Sequence, residues 1–278
     1  MTKKDYLNTL HTTLLEILDV VVEICERHGL TYFLAYGTCI GAVRHQGFIP
    51  WDDDIDIGMP RADYDRFIET CKSELPEGYY FQGLENEKHY WLAFSKIRKS
   101  GTQFIESYAP SQLPPEKQGV YIDVFPYEGI SAWTRGNAGK DYIIRKLRVA
   151  LFLKTAQQRD DADCGFAKYI LSKALPWSAM NFWVRCLSES MNGKNPQLYV
   201  SAAQMQPPAS GALKAENGRI PVMKTAFEGR EFCIPRDYDE YLKSLYGDYM
   251  QLPPEDQRRT HAPVKVDFGD GVITLEPD

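Results

Sequence analysis

An α+β fold is what this sequence predicts: a mixed β-sheet core with flanking helices and a helical insertion. Three observations lead there. Short β-branched and aromatic runs alternate with helical periodicities in the first half, long apolar helical repeats fill residues 138 to 192, and a hairpin with one more helix closes the chain. The expected division is a catalytic core over 1–130, a helical insertion over 131–215, and a C-terminal hairpin and helix over 216–278 that pack back on the core.

Leu7, Leu10, Leu14, Ile17 or Leu18, Val21 and Ile24 or Cys25 recur at helical spacing up to Gly29, so the chain opens with an amphipathic helix. Leu30 to Tyr36 reads as a strand. Gly37-Thr38 then makes a tight turn, and Thr38 to His45 a short helix. Asp52 to Met59 predicts a strand, and Pro60 precedes a helix with Tyr64, Phe67, Ile68 and Cys71 on one face. Tyr79 to Leu84, Trp91 to Arg98 and Gly119 to Phe125 supply further strands between Gly and Pro punctuation. Helices are expected over Tyr142 to Ala156 and Phe166 to Met191, the second broken at Pro176. A hairpin turns at Glu228-Gly229, and the last helix is expected to start on an Asp237/Glu240 capping box and stop at Gly247.

The 278 residues are 44% apolar and 25% charged, with a net charge of −6, so general binding to nucleic acid is disfavoured. No apolar run approaches the roughly 20 residues of a spanning helix. Acidic residues interrupt the first helix, so no signal peptide is visible. Six scattered cysteines without a CxxC pair fit reduced core thiols, and the expected compartment is the cytosol. Between Trp133 and Arg159 seven basic residues face one acid. Two readings stay open for Arg145, Lys146 and Arg148: a peripheral contact with anionic lipid, or the solvated face of a core helix.

The chemistry concentrates in Tyr36 to Gly58. Asp52, Asp53, Asp54 and Asp56 put four acids within five positions. On a strand, Asp52, Asp54 and Asp56 share one face and Asp53 takes the other. Crowded carboxylates repel, and a hard divalent cation, Mg²⁺ or Mn²⁺, relieves that repulsion. A calcium loop of EF-hand type fails, because Ile57 stands where glycine is needed and Asp63 where glutamate is needed. Gly37-Thr38 can present backbone N–H groups and a hydroxyl to phosphate. Asp123 sits alone between aliphatics in Tyr121-Ile122-Asp123-Val124-Phe125; a buried strand acid without a partner is costly, so Asp123 is expected to meet the same metal ion. Arg44 and Lys96 are the phosphate-contact candidates, with a structural ion pair to the acids as the other reading of Arg44 and a solvated edge charge as the other reading of Lys96 or Arg98. Trp51, Tyr36, Tyr121 and Phe125 flank the carboxylates, either as faces for a cationic alcohol or as ordinary core.

A Gly-Thr turn, a DxD and a later strand acid form the pattern of the nucleotidyltransferase superfamily fold. The Tyr36 to Gly58 run, with its RHxGFIPWDDDID core, resembles the LicD family of phosphotransferases, to which fukutin and fukutin-related protein are distantly similar. Lys96-Ile97-Arg98, Tyr121 to Pro126 and Tyr246-Gly247-Asp248-Tyr249 extend the resemblance. It implies a cytoplasmic enzyme that moves a phosphorylated alcohol, typically phosphocholine, and the basic helical section leaves a peripheral contact at the inner face of the membrane open. The donor would be CDP-activated, the acceptor a glycan or glycolipid precursor, and CMP the product. Mapped onto this chain, the resemblance implies Asp54, Asp56 and Asp123 as catalytic and, with Asp52, as metal ligands. Gly37, Thr38, Arg44, Lys96, Trp51, Tyr121 and His261 are the expected substrate contacts. The alternatives are a nucleotidyltransferase that releases pyrophosphate from an NTP, a DxD glycosyltransferase, and an inactive binding module.

Overall fold

The computed structural model describes residues 3–87, 89–106, 117–155, 173–203, 210–258, 260, 263–269 and 272–274. Helix α1 (Lys3–His28) lays Leu10, Leu14, Ile17, Leu18, Val21 and Cys25 into the main core, as its periodicity predicts. It runs over a sheet in the order β1 (Phe33–Leu34), β2 (Asp56–Pro60), β6 (Tyr121–Ile130), β4 (Ser95–Lys99), β3 (Tyr79–Gln82). β2 and β6 are parallel and the other pairs antiparallel, which makes the sheet mixed. Between β2 and β3, α3 (Arg61–Glu74) buries Tyr64, Phe67, Ile68 and Cys71.

β6 is long enough to serve two cores. Its first half belongs to the main cluster, while Ile130 joins a second one with Ile144, Leu151, Met180, Val184 and Val200. That second cluster is formed by α4 (Arg135–Thr155), α5 (Trp177–Glu189) and β7 (Leu198–Val200), which pairs with both β6 and β8 (Leu213–Lys214). A buried ion pair sits at the junction: Arg61 meets Glu128 at 2.5 Å, and Asn192 donates to the same carboxylate.

The hairpin of β9 (Val222–Phe227) and β10 (Arg230–Pro235) turns at Glu228-Gly229 as expected, and α6 (Tyr238–Tyr246) follows. β5 (Gln103–Glu106) pairs with β11 (Pro263–Asp267), which pairs with β12 (Val272–Thr274). Among the described residues, no helix is long and apolar enough to cross a membrane. Cys25, Cys39 and Cys71 are buried free thiols, and Cys186 and Cys233 are half-buried and free.

Several expectations change. β1 is only two residues, because Tyr36 takes a left-handed backbone (φ 47°) that ends the extended run. The short helix is α2 (Tyr36–Ile40), continued by a π-helical turn, Gly41–His45. Asp237 precedes α6 without a side-chain cap bond, and the Glu240 side chain accepts from Lys214 rather than closing a capping box. The first turns of the Phe166 helix and Cys164 lie outside the described residues, while α5 starts directly after Pro176.

Candidate active site

The register of three strands builds the centre of the site. Asp56 on β2 stands opposite Asp123 on the parallel β6, and Lys96 on β4 stands opposite Asp123 from the other side. Lys96 Nζ reaches Asp123 Oδ1 at 2.7 Å, with both residues buried, at 4% and 7% exposure. Lys96 is therefore not a solvated edge charge. Its ammonium also lies 3.3 Å from the centroid of the Tyr121 ring, and the Arg98 guanidinium lies 4.6 Å from the same ring. Asp123 thus has the partner that its burial demands, contributed by a neighbouring strand.

The acidic run is irregular from Asp52 to Ile55, and the strand begins only at Asp56. The alternation expected of a strand does not operate there. Asp53, assigned to the opposite face by that alternation, joins Asp52 and Asp54 in a group whose carboxylate oxygens lie within 4.8 Å of one another. An all-oxygen set of this density suits a hard divalent cation. Thr38 holds the run in place, and Gly37 leaves room for it. The Asp56 N–H donates to Thr38 Oγ1 at 2.9 Å, and a Cβ on Gly37 would lie 3.2 Å from Asp52 Oδ2.

His11, on the distant helix α1, adds a support that no motif announced. Its Nε2–H donates to the Asp52 carbonyl at 2.8 Å, and its ring stacks on Phe48 with centroids 3.8 Å apart. Burial lowers its pKa below the ordinary value, outweighing the Asp52 hydrogen bond and the charges of Glu228 and Asp53.

Arg44 donates to the carbonyl of Tyr249, and at 3.5 Å to that of Gln251, so it ties the segment after α6 to the Gly41–His45 turn. Arg258 from the same segment covers the Trp51 ring at 4.6 Å. His261 lies outside the described residues.

Over its 89% share of this chain, and 92% of the other protein, the lipopolysaccharide cholinephosphotransferase LicD of Haemophilus influenzae is 30% identical across 266 aligned residues. The chain belongs to the LicD family. A family sequence model described as LicD/FKTN/FKRP, nucleotidyltransferase domain, matches residues 29–146, a stretch that carries β1 through most of α4. Ribitol 5-phosphate transferase FKRP of human and of mouse is 44% identical over 107 residues, 38% of this chain and 19% of that protein.

Beside the acids of this LicD-family chain opens a cleft of about 540 Å³, where the two cores meet. Asp56, Tyr36, Phe125 and Phe94 form the sheet side, Arg148 and Phe152 of α4 the other, and Tyr246 the rim. Arg148 is only 3% exposed, donates to the Ala203 carbonyl, and has its pKa pulled down to about 10 by burial. It cannot touch lipid, which removes it from the membrane reading of the basic segment; Arg145 of that segment pairs with Asp141 at 2.6 Å. The sequence did hold the signal for Arg148, since Ile144, Arg148 and Leu151 fall on one helical face.

Proposed function

We propose that this LicD-family chain transfers phosphocholine from a CDP-activated donor to a hydroxyl of a cell-surface glycan or glycolipid precursor, with Mg²⁺ as cofactor and CMP as product. The observation that carries the reading is the β2–β6–β4 register, which sets Asp56, Asp123 and Lys96 side by side, with the Asp52–Asp54 group just ahead of Asp56 in the chain. Asp52, Asp53 and Asp54, with Asp56, would hold the metal ion, which when bound neutralises charge on the pyrophosphate and on the departing CMP.

The acceptor oxygen bonds to the phosphorus that carries choline, the bond from that phosphorus to the CMP oxygen breaks, and CMP leaves with the bonding pair. We assign the acceptor's proton to Asp123, whose carboxylate Lys96 holds in one orientation at 2.7 Å. Lys96 also supplies a fixed positive charge in a buried setting, where it acts on developing phosphate charge without reorganising. We place the reaction in the cytoplasm, at the inner face of the membrane. Exposed Tyr142, Ile143 and Lys146 of α4 are the surface for a lipid-linked acceptor, and unchanged sedimentation of Lys146→Glu with anionic vesicles would remove that contact.

The test is product identity. Purified protein with Mg²⁺ is given CDP-choline, CDP-ethanolamine, CDP-glycerol, CDP-ribitol and, separately, NTPs. CMP release that chelation of the metal abolishes is the expected result. Pyrophosphate from an NTP, with no CMP from any CDP-alcohol, would replace this reading with nucleotidyl transfer.

A further inference from the structure

The cleft between the two cores has two unlike ends. At one end Asp56, Tyr36 and Arg148 gather, and the Tyr36 phenol lies within electrostatic reach of both charges. At the other, Trp91 and Phe152 meet with ring centroids 5.0 Å apart, beside Leu92, Phe94 and Val149. Phe94 in turn stacks on Phe125 at 4.2 Å, and the edge of Tyr36 meets Phe125 at 5.0 Å. These rings are not sealed into the core: Trp91, Phe94 and Phe152 are half-buried and Tyr246 is 41% exposed.

Tyr36 is held in this wall against a backbone preference. Its left-handed φ of 47° is unfavourable for an aromatic residue, and its N–H is anchored by the Tyr241 hydroxyl at 3.2 Å. Such strain is retained where a side chain has to point at a site.

We propose that this cleft seats the transferred alcohol phosphate, with the phosphate at the Arg148 end and a methylated ammonium head against the Trp91 and Phe152 rings. The inference rests on the phosphotransferase reading above and adds the residues that choose the alcohol. Arg148 and Phe152 are one turn apart on α4, a rise of about 6 Å. That separation suits a phosphate and a quaternary nitrogen joined by an O–CH₂–CH₂–N link. Ring faces attract such a cation, and its methyl groups need no hydrogen bonds. A polyol head meets the opposite outcome. Leu92, Phe94, Val149 and Phe152 offer its hydroxyls no side-chain partners, and desolvated hydroxyls without partners are costly. The helical segment therefore supplies both Arg148 for the phosphate and Phe152 for the head group, while the sheet supplies the acids.

The experiment measures kcat/KM for CMP release from CDP-choline and from CDP-glycerol, together with calorimetric binding of choline phosphate, in wild type, Phe152→Leu, Trp91→Leu and the ring-keeping Trp91→Phe. Melting temperatures verify that each variant is folded. The choline-to-glycerol ratio is expected to fall about tenfold in the two leucine variants and to recover in Trp91→Phe. An unchanged ratio, or equal losses for both donors, overturns the proposal while leaving the phosphotransferase reading intact. If wild type releases no CMP but binds choline phosphate in a Phe152-dependent way, the cleft stands and the reaction falls. If it neither turns over nor binds, both fall.

Discussion

The two sides of the cleft are built by different kinds of sequence. The sheet side draws Asp52 to Asp56, Lys96 and Asp123 from strands and a loop whose register fixes them, so its chemistry is written in short local patterns. The opposite side draws Trp91, Arg148, Phe152 and Tyr246 from a loop, a helix and the C-terminal region, and no two of these elements are adjacent in the chain. One side carries reactive charge. The other carries shape and apolar surface. Chemistry that rests on crowded carboxylates and a buried ion pair tolerates little change of spacing, whereas an apolar wall can be assembled from whatever the fold brings near.

Breaking the charged side should have the largest effect. Asp54→Asn and Asp123→Asn are each expected to lower turnover by about a thousandfold, read as CMP release at saturating donor. Lys96→Met comes next. It leaves Asp123 buried without its ammonium, so a loss of about 3 kcal/mol in stability is expected by denaturant titration, together with reduced turnover. Gly41→Ala probes the turn that presents the acids. A Cβ there would lie 2.5 Å from the Gly47 carbonyl oxygen, and the overpacking should cost about 1–3 kcal/mol in the same titration.

The smallest effect concerns His11. Because burial lowers its pKa below 6.5, the unfolded chain takes up this proton first as pH falls. The contribution of neutral His11 is thus complete above pH 6.5 and declines as pH drops from there toward the folded value. His11→Gln, which keeps a donor for the Asp52 carbonyl, should flatten that part of the stability profile. An identical slope in wild type and variant between pH 6.5 and 5 would show that His11 is not responsible.

The sheet and its acids were legible because alternation and helical periodicity are local. The helix faces of α1 and α3 and the hairpin at Glu228-Gly229 follow from spacing alone, while the link between the DxD and Asp123 came from resemblance to a superfamily pattern and is realised by the β2–β6 register. Asp53 was misplaced because alternation was applied four residues before the strand begins. Lys96 was found as a charged candidate, but its partner Asp123 lies 27 residues away and only the β4–β6 register joins them. Arg148 was masked by its basic neighbours, although its own helical position matched the apolar face. His11 could not be read at all, since its target is a main-chain carbonyl 41 residues on.

The central claim is a division of labour, in which the acids set the rate and the helical wall chooses the alcohol. The most direct measurement compares the CDP-choline to CDP-glycerol ratio of kcat/KM in Asp54→Asn and in Phe152→Leu. The account requires Asp54→Asn to lower both donors by the same factor, with the ratio kept, and Phe152→Leu to shift the ratio against choline. A changed ratio in Asp54→Asn, or equal loss of both donors in Phe152→Leu, would contradict it.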